Sequence, residues 1–291
     1  MTQPFATRLA ISLYMALFFG FLLGPLLIMA ISAFNTPSYP QVWPIEGFTF
    51  DWFIELANDR EMLQGLRTSV VIGIWVVVLS VPLGLAGAIV MTQVFRTAKS
   101  FYYFVVVAPV LTPGIVIGIA TVVFWRDFSG WVGLRSLIYS GGVLTVLAQS
   151  SFIASYCMLI IMARLQRFDT VLEEAALDLG ASYPQIFRDV LLPFLKPALA
   201  SSAMLAFLSS FENYNATTFA ILSDKTLTTV LAARVRLGSS PSISALATVI
   251  VLATIIAAIV FEIIKRRKDR QRELRQKNAW EADASELATQ V

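Results

Sequence analysis

Histidine is absent from the 291 residues, and cysteine occurs once, as Cys157. A disulfide within the chain is therefore excluded, as are zinc sites built from His and Cys clusters and any catalysis by a histidine base. Charge is scarce too. Asp, Glu, Lys and Arg make up 14% of the chain, against about 25% in a soluble domain. No Gly-x-x-x-x-Gly-Lys-Ser/Thr run is present, so the phosphate cradle of a P-loop is missing. No catalytic set clusters in the sequence, which argues against a membrane-embedded enzyme, and neither metal nor cofactor is expected. What fills the chain instead is apolar: 57% of the residues are hydrophobic. That excess has to face something other than water, and lipid is the simplest candidate. The net charge of +3 does not point to nucleic acid, because the basic residues flank apolar runs and do not form one face. Cys157 lies in such a run and reads as a small packing residue.

A membrane-crossing helix takes about 20 mostly apolar residues. Six stretches meet that length: residues 9–34, 66–91, 101–125, 137–162, 194–222 and 243–264. The expected fold is therefore all-α and integral to a membrane. The first run is longer than the core of a secretory signal, about 7–15 residues, and is read as a retained helix behind a short terminal segment, 1–8. Residues 35–65 connect it to a core at 66–264 that holds the other five spans. Within the connection, Asp51-Trp52-Phe53-Ile54-Glu55-Leu56 predicts a short amphipathic helix, lying at the membrane interface or packed as a lid on the bundle. Residues 265–291 form a basic tail, whose part beyond Lys277 is small, polar and expected to fray.

Lys and Arg in the loops set orientation. Fifteen fall on the side of the two termini, the 93–100 loop and the 163–193 loop, and seven on the other. Both termini and the central loop are thus expected in the cytoplasm. The tail supplies eight of the fifteen and carries much of that count. Its run at 265–268 reads as a stop-transfer anchor drawn to anionic lipid.

The central loop, 163–193, is too short to span and too apolar to be a plain linker. Thr170 and Glu173 have the spacing of a capping box, with Val171, Leu172, Ala175, Ala176 and Leu179 at helical intervals behind them. Gly180 stands where a left-handed residue ends a helix. Ser182 and Gln185 repeat the capping interval, Ile186, Phe187, Val190 and Leu191 make an apolar stripe, and Pro193 is expected to end the segment. A helix, a glycine corner and a second helix result. From the residues alone, that pair docks equally well on a separate partner or on this chain's own helices.

The stretch Glu174-Ala175-Ala176-Leu177-Asp178-Leu179-Gly180, followed after nine residues by Val190-Leu191-Leu192-Pro193, resembles the EAA loop of ABC importer permeases. That pattern runs Glu-Ala-Ala, three residues, Gly, nine residues, Ile, one residue, Leu-Pro, and Val190 in place of Ile is its one departure here. The resemblance covers roughly residues 63–264. It implies the type I importer permease fold with six transmembrane helices in a bacterial inner membrane. It further implies that the loop is a coupling helix seated on a cytoplasmic ATP-binding subunit, present in two copies. Glu173, Glu174, Ala175, Ala176, Asp178, Gly180, Leu192 and Pro193 would carry that coupling. A second, related permease subunit and a periplasmic solute-binding protein are the other implied partners, besides the lipid bilayer. Phe168-Asp169 and Ser240-Pro241-Ser242-Ile243-Ser244-Ala245-Leu246-Ala247-Thr248 are similar to the spermidine/putrescine type. Permeases of that type often carry two acidic residues in the fifth span where this chain has one, in Phe211-Glu212-Asn213-Tyr214-Asn215.

Glu212 is the one ionisable residue placed well inside an expected span. A charge there costs about 2.5–3.5 kcal/mol on insertion scales and therefore faces a cavity or a partner. With Asn213, Tyr214 and Asn215 it is the candidate substrate path for a polyamine or related organic cation, and a hydrogen-bonded Glu bridging helices is the plainer reading. Tyr156, with Gln149, Ser150 and Ser151, lies on the path or joins helices. Pro109 and Pro113-Gly114 kink a packed helix or line a gate. Gly84-Leu85-Ala86-Gly87-Ala88 permits close helix packing. The alternative function is an ion-coupled secondary transporter using Glu212.

Overall fold

A computed structural model describes residues 5–238 and 240–289 and divides the chain into two compact units. Among the described residues, six helical segments are long and apolar enough to cross a membrane: Thr7–Ser32, Arg60–Gln93, Gly114–Val132, Gly141–Leu165, Tyr183–Phe211 and Pro241–Ile264. No strand occurs among the described residues. An isolated β-bridge pairs Asn35 with Phe48.

The first unit joins residues up to Asn58 to those from Leu237 onward. It contains α1 (Phe5–Ser32) and α2 (Asp51–Asn58). Both pack on the long C-terminal helix of the same unit, Pro241–Thr289. The expected helix near Asp51 is thus present and packs against that helix. The C-terminal helix continues to Thr289, where fraying beyond Lys277 was expected.

The second unit, Asp59–Arg236, opens with α3 (Arg60–Gln93), whose first turn is capped by Asp59 through the N–H of Met62 at 3.0 Å. Next come α4 (Arg96–Leu111) and α5 (Gly114–Val132). The expected third span, 101–125, is therefore two helices. Pro113 has no N–H to donate and drives Thr112 out of helical geometry, to ψ 132°. Pro109, one turn earlier, is accommodated inside α4. The short α6 (Arg135–Ile138) leads into α7 (Gly141–Leu165), which Ser140 caps.

The centre of this unit is the contact of α3 with α7, with α10 (Leu192–Phe211) against both. Lipid gives no hydrophobic drive between helices, so close approach and dispersion hold them. Gly84 permits that approach: a Cβ there would stand 2.5 Å from the Cys157 Cβ and 2.7 Å from the Met158 nitrogen. Cys157 and Met158 are fully buried in the same core, in keeping with the packing role read for the cysteine.

Between α7 and α10 lie α8 (Val171–Asp178), α9 (Tyr183–Ile186) and a π turn, Phe187–Leu191. Pro193 does not end a helix. It sits in the first turn of α10, and the widened turn before it lets the helix run unbroken from Tyr183 to Phe211. A π turn bonds i to i−5, as Leu192 does to the Phe187 carbonyl. It thereby absorbs a proline whose ring would crowd the i−4 carbonyl of a regular helix. The expected fifth span, 194–222, is displaced accordingly: helix stops at Phe211, and α11 (Thr217–Ala220) and α12 (Leu227–Leu237) follow as separate pieces before α13 (Pro241–Thr289).

Candidate functional site

Two places in the second unit combine polarity, exposure and interrupted helix. The first is the corner between α8 and α9. The Thr170 side chain makes no cap, and its backbone is already helical, so the expected Thr170–Glu173 capping box does not form. Asp169 replaces it, accepting the Val171 N–H at 3.0 Å. The far end is as expected: Gly180 has φ +83°, its N–H bonds the Leu177 carbonyl at 2.8 Å, and the Ala181 N–H bonds the Ala176 carbonyl at 3.0 Å. That pair of bonds is a Schellman stop, which a Cβ at Gly180 would strain. Beyond it, Gln185 accepts the Ser182 N–H at 2.8 Å.

No residue of α8 is buried. Val171, Leu172 and Leu177 are exposed, and Leu179 retains 88% of its surface. Glu174, Ala175 and Asp178 are exposed and Glu173 and Ala176 half-buried. The helix touches little besides α9. Leu192 is half-buried and Pro193 exposed at the head of α10.

The second place is the break after α10. Gln149 of α7 is 1% exposed; it accepts the Ser210 hydroxyl, and its amide donates to Thr217 Oγ1 at 2.8 Å. These residues lie 61 and 68 positions apart from it in the chain. A Cβ on Gly118 of α5 would meet the Ala216 carbonyl oxygen at 2.5 Å, and one on Gly141 would meet that of Ile221 at 1.9 Å. From Ser210 to Ile221 the chain therefore follows α7 from Gln149 back to Gly141, about 12 Å at 1.5 Å per residue. The interruption is seated inside the bundle, where irregular backbone needs side-chain partners.

Those partners redistribute the expected substrate-path residues. Asn213 is a cap: its Oδ1 accepts the N–H groups of Ala216 at 3.1 Å and Thr217 at 3.4 Å, and its carbonyl accepts the hydroxyls of Thr217 at 2.7 Å and Thr228 at 3.1 Å. Tyr214 has its hydroxyl bonded by Arg236 Nη2 at 3.1 Å. Asn215 is exposed above Gly114. Glu212 is not within a helix. It closes α10 as an exposed C-terminal residue and forms no ion pair among the described residues. Tyr156, two turns along α7 from Gln149, stands edge-on to Phe152 at 6.4 Å and is half-buried.

A charged staple in this region is not legible in the sequence. Arg234 of α12 forms a bidentate pair with Asp59 and reaches Glu61 at 3.2 Å, and Lys225 also pairs with Glu61. The staple ties the segment after the break to the head of α3. The Arg234 guanidinium holds the Asp59 carboxyl below its ordinary value of 3.8, with the Met62 N–H assisting and burial opposing. An acidic residue just before an apolar run was the available signal, and its partner 175 residues away was not readable. Beside the α4–α5 break, Thr112, Thr121, Phe124, Trp125 and Ser151 help line an open cavity of about 420 Å³, so the proline break borders a cavity.

Helices long and apolar enough to cross a membrane, a polar break after one of them and an outlying helical corner define a multi-pass membrane protein. Residues 80–270 match the model of the binding-protein-dependent transport system inner membrane component, and the chain belongs to that family. It is 31% identical over 261 residues to the putrescine transport system permease protein PotI of Escherichia coli K12, covering 87% of this chain and 90% of that one. It is 26% identical over 256 residues to the spermidine/putrescine transport system permease protein PotC of the same organism, covering 88% and 93%. The fold is similar to that of a bacterial ABC transporter importing the acidic polysaccharide alginate, with TM-score 0.66, 14% identity and coverage of 88% and 93%. The chain is thus a pore subunit of an ABC importer in the inner membrane; ATP is hydrolysed by a separate subunit. The family match gives no support to the ion-coupled alternative.

Proposed function

We propose that this permease imports a polyamine or related small organic cation, and that α8 is the element through which a cytoplasmic ATPase drives it. The observation that carries the coupling half is the exposure of α8: an apolar and acidic helix, stopped by a glycine, without a buried residue of its own. Burying such a face against a partner is favourable at about 25 cal/mol per Å² of apolar surface. Glu173, Glu174, Ala175, Ala176, Asp178 and Gly180 form the contact, with Leu192 and Pro193 connecting it to α10. Two ATPase copies, a second permease subunit of related sequence and a periplasmic solute-binding protein complete the assembly. Both termini and the 163–193 loop lie in the cytoplasm, in line with the distribution of Lys and Arg.

The cation half rests on the similarity to the putrescine and spermidine/putrescine permeases and on the end of α10. The C-terminus of a helix carries partial negative charge, and Glu212 adds a carboxylate at that end, exposed within the break. Interrupted helices in transporters present charge to solutes. Glu212 and Asn215 meet the substrate directly, while Asn213 and Tyr214 hold the break open, and Tyr156 lies further along the path. Uptake of labelled putrescine and spermidine by cells expressing the whole operon tests this. Competition by excess polyamine supports it; uptake of neutral or anionic solutes alone would refute the cation assignment and leave the coupling half intact.

A further inference from the structure

Residues 34–53 of the first unit build a finger around one side chain. Asn35 is 2% exposed and its amide is fully engaged. Nδ2 donates to the carbonyls of Gln41 at 3.2 Å and Pro44 at 3.1 Å, and Oδ1 accepts the N–H groups of Thr36 at 3.1 Å and Glu46 at 3.0 Å. The Asn35 carbonyl accepts Trp52 Nε1 at 2.7 Å. Behind this hub Phe34 stacks on Phe48 at 5.2 Å and touches Phe50 and Phe53. The outer surface is nevertheless apolar. Tyr39, Ile45, Phe48 and Phe50 are exposed, and Trp43 keeps 82% of its surface.

The height of that surface follows from the chain. Arg8 is the last cation before Arg60, and α1 from Leu9 to Ser32 measures about 36 Å at 1.5 Å per residue. The hydrocarbon layer is about 30 Å thick, so with Arg8 at the cytoplasmic face, as proposed above, the end of α1 falls among the lipid headgroups of the outer leaflet. Asn35 is three residues beyond that end and grips Pro44 and Glu46 directly, so the tip at 43–45 stays at the same level. Trp and Tyr are the residues that favour that level, with an apolar ring and a polar edge. The tip carries no Lys or Arg, and the Asn35 hub bonds the backbone of Thr36, Gln41, Pro44 and Glu46 internally.

We propose that the finger is a lipid anchor: Trp43 and Ile45, with Phe48, enter the headgroup–acyl boundary of the outer leaflet and fix the depth and rotation of α1. The occupant is lipid. A soluble protein would have to reach down to a surface held at headgroup height.

The test places a nitroxide on Ile45→Cys in a Cys157→Ser background. The assembled importer is reconstituted in nanodiscs of phosphatidylethanolamine and phosphatidylglycerol. Collisions with oxygen, which concentrates in lipid, are compared with those of a water-soluble nickel chelate. A ratio several-fold above that of a nitroxide free in buffer is expected, and Asn35→Ala should return it toward the buffer value. A ratio equal to buffer in the otherwise native chain overturns the anchor, whatever Asn35→Ala does. So does shielding that appears only when the solute-binding protein is added, which would make the finger a protein-docking surface.

Discussion

Glu212 and Asn213 are adjacent, equally polar in a hydropathy profile, and do different work. Asn213 is consumed by capping the backbone of α11, whereas the Glu212 carboxylate ends α10 without an ion pair among the described residues. Glu212→Gln keeps the shape and removes the charge. A hydrogen bond to a charged group is worth about 1.5–3 kcal/mol, so the concentration for half-maximal uptake should rise roughly tenfold to a hundredfold. Co-purification of the subunits should be unchanged; unaltered uptake kinetics would take Glu212 off the path. Gly84 makes a packing prediction. With the nearest side-chain atom 2.5 Å from an added Cβ, Gly84→Val should destabilise the subunit by about 1–3 kcal/mol, read as a lower melting temperature in detergent. Gly142, with nothing near its would-be Cβ, should tolerate alanine.

At the scale of elements, the Asp59–Arg234 pair couples stability to pH. Asp59 has its pKa lowered by Arg234, so its contribution is full above the ordinary carboxylate value of 3.8 and lost as pH falls below that value toward the folded one. Arg234→Ala should cost about 1.5–3 kcal/mol at neutral pH and flatten the acid limb of a melting-temperature profile. An unchanged limb would show that the pair contributes nothing. Much of the element order was legible, since runs of about 20 apolar residues leave few options, and Gly180 sat where a left-handed stop was needed. Three features were not. The break at Thr112 lies between apolar residues on both sides, so a hydropathy profile passes over it and shows one continuous span. Pro193 looked like a terminator because a π turn has no sequence signature of its own. The 194–222 run looked continuous because the buried Gln149, Ser210 and Thr217 that seat its interruption are distant in sequence and meet only after folding.

At the scale of the whole molecule, the chain carries no engine, and its motion has to come from outside. The element proposed for that purpose is α8, with Leu179 at its end keeping 88% of its surface. Gly180→Arg should abolish co-purification of the ATPase, since φ +83° is strained for any side chain by about 1–2 kcal/mol and the arginine would project into the contact. The subunit should still insert, with its melting temperature lowered by no more than the several degrees that a strain of this size implies. The most direct measurement is disulfide cross-linking from Leu179→Cys in a Cys157→Ser background, in membranes containing the ATPase with single surface cysteines. The expected result is a permease–ATPase product that changes in yield when ATP is bound, with none from Trp131→Cys. A Leu179→Cys that reacts instead with a membrane-impermeant reagent from the periplasmic side, and never with the ATPase, would contradict docking of the corner on the engine.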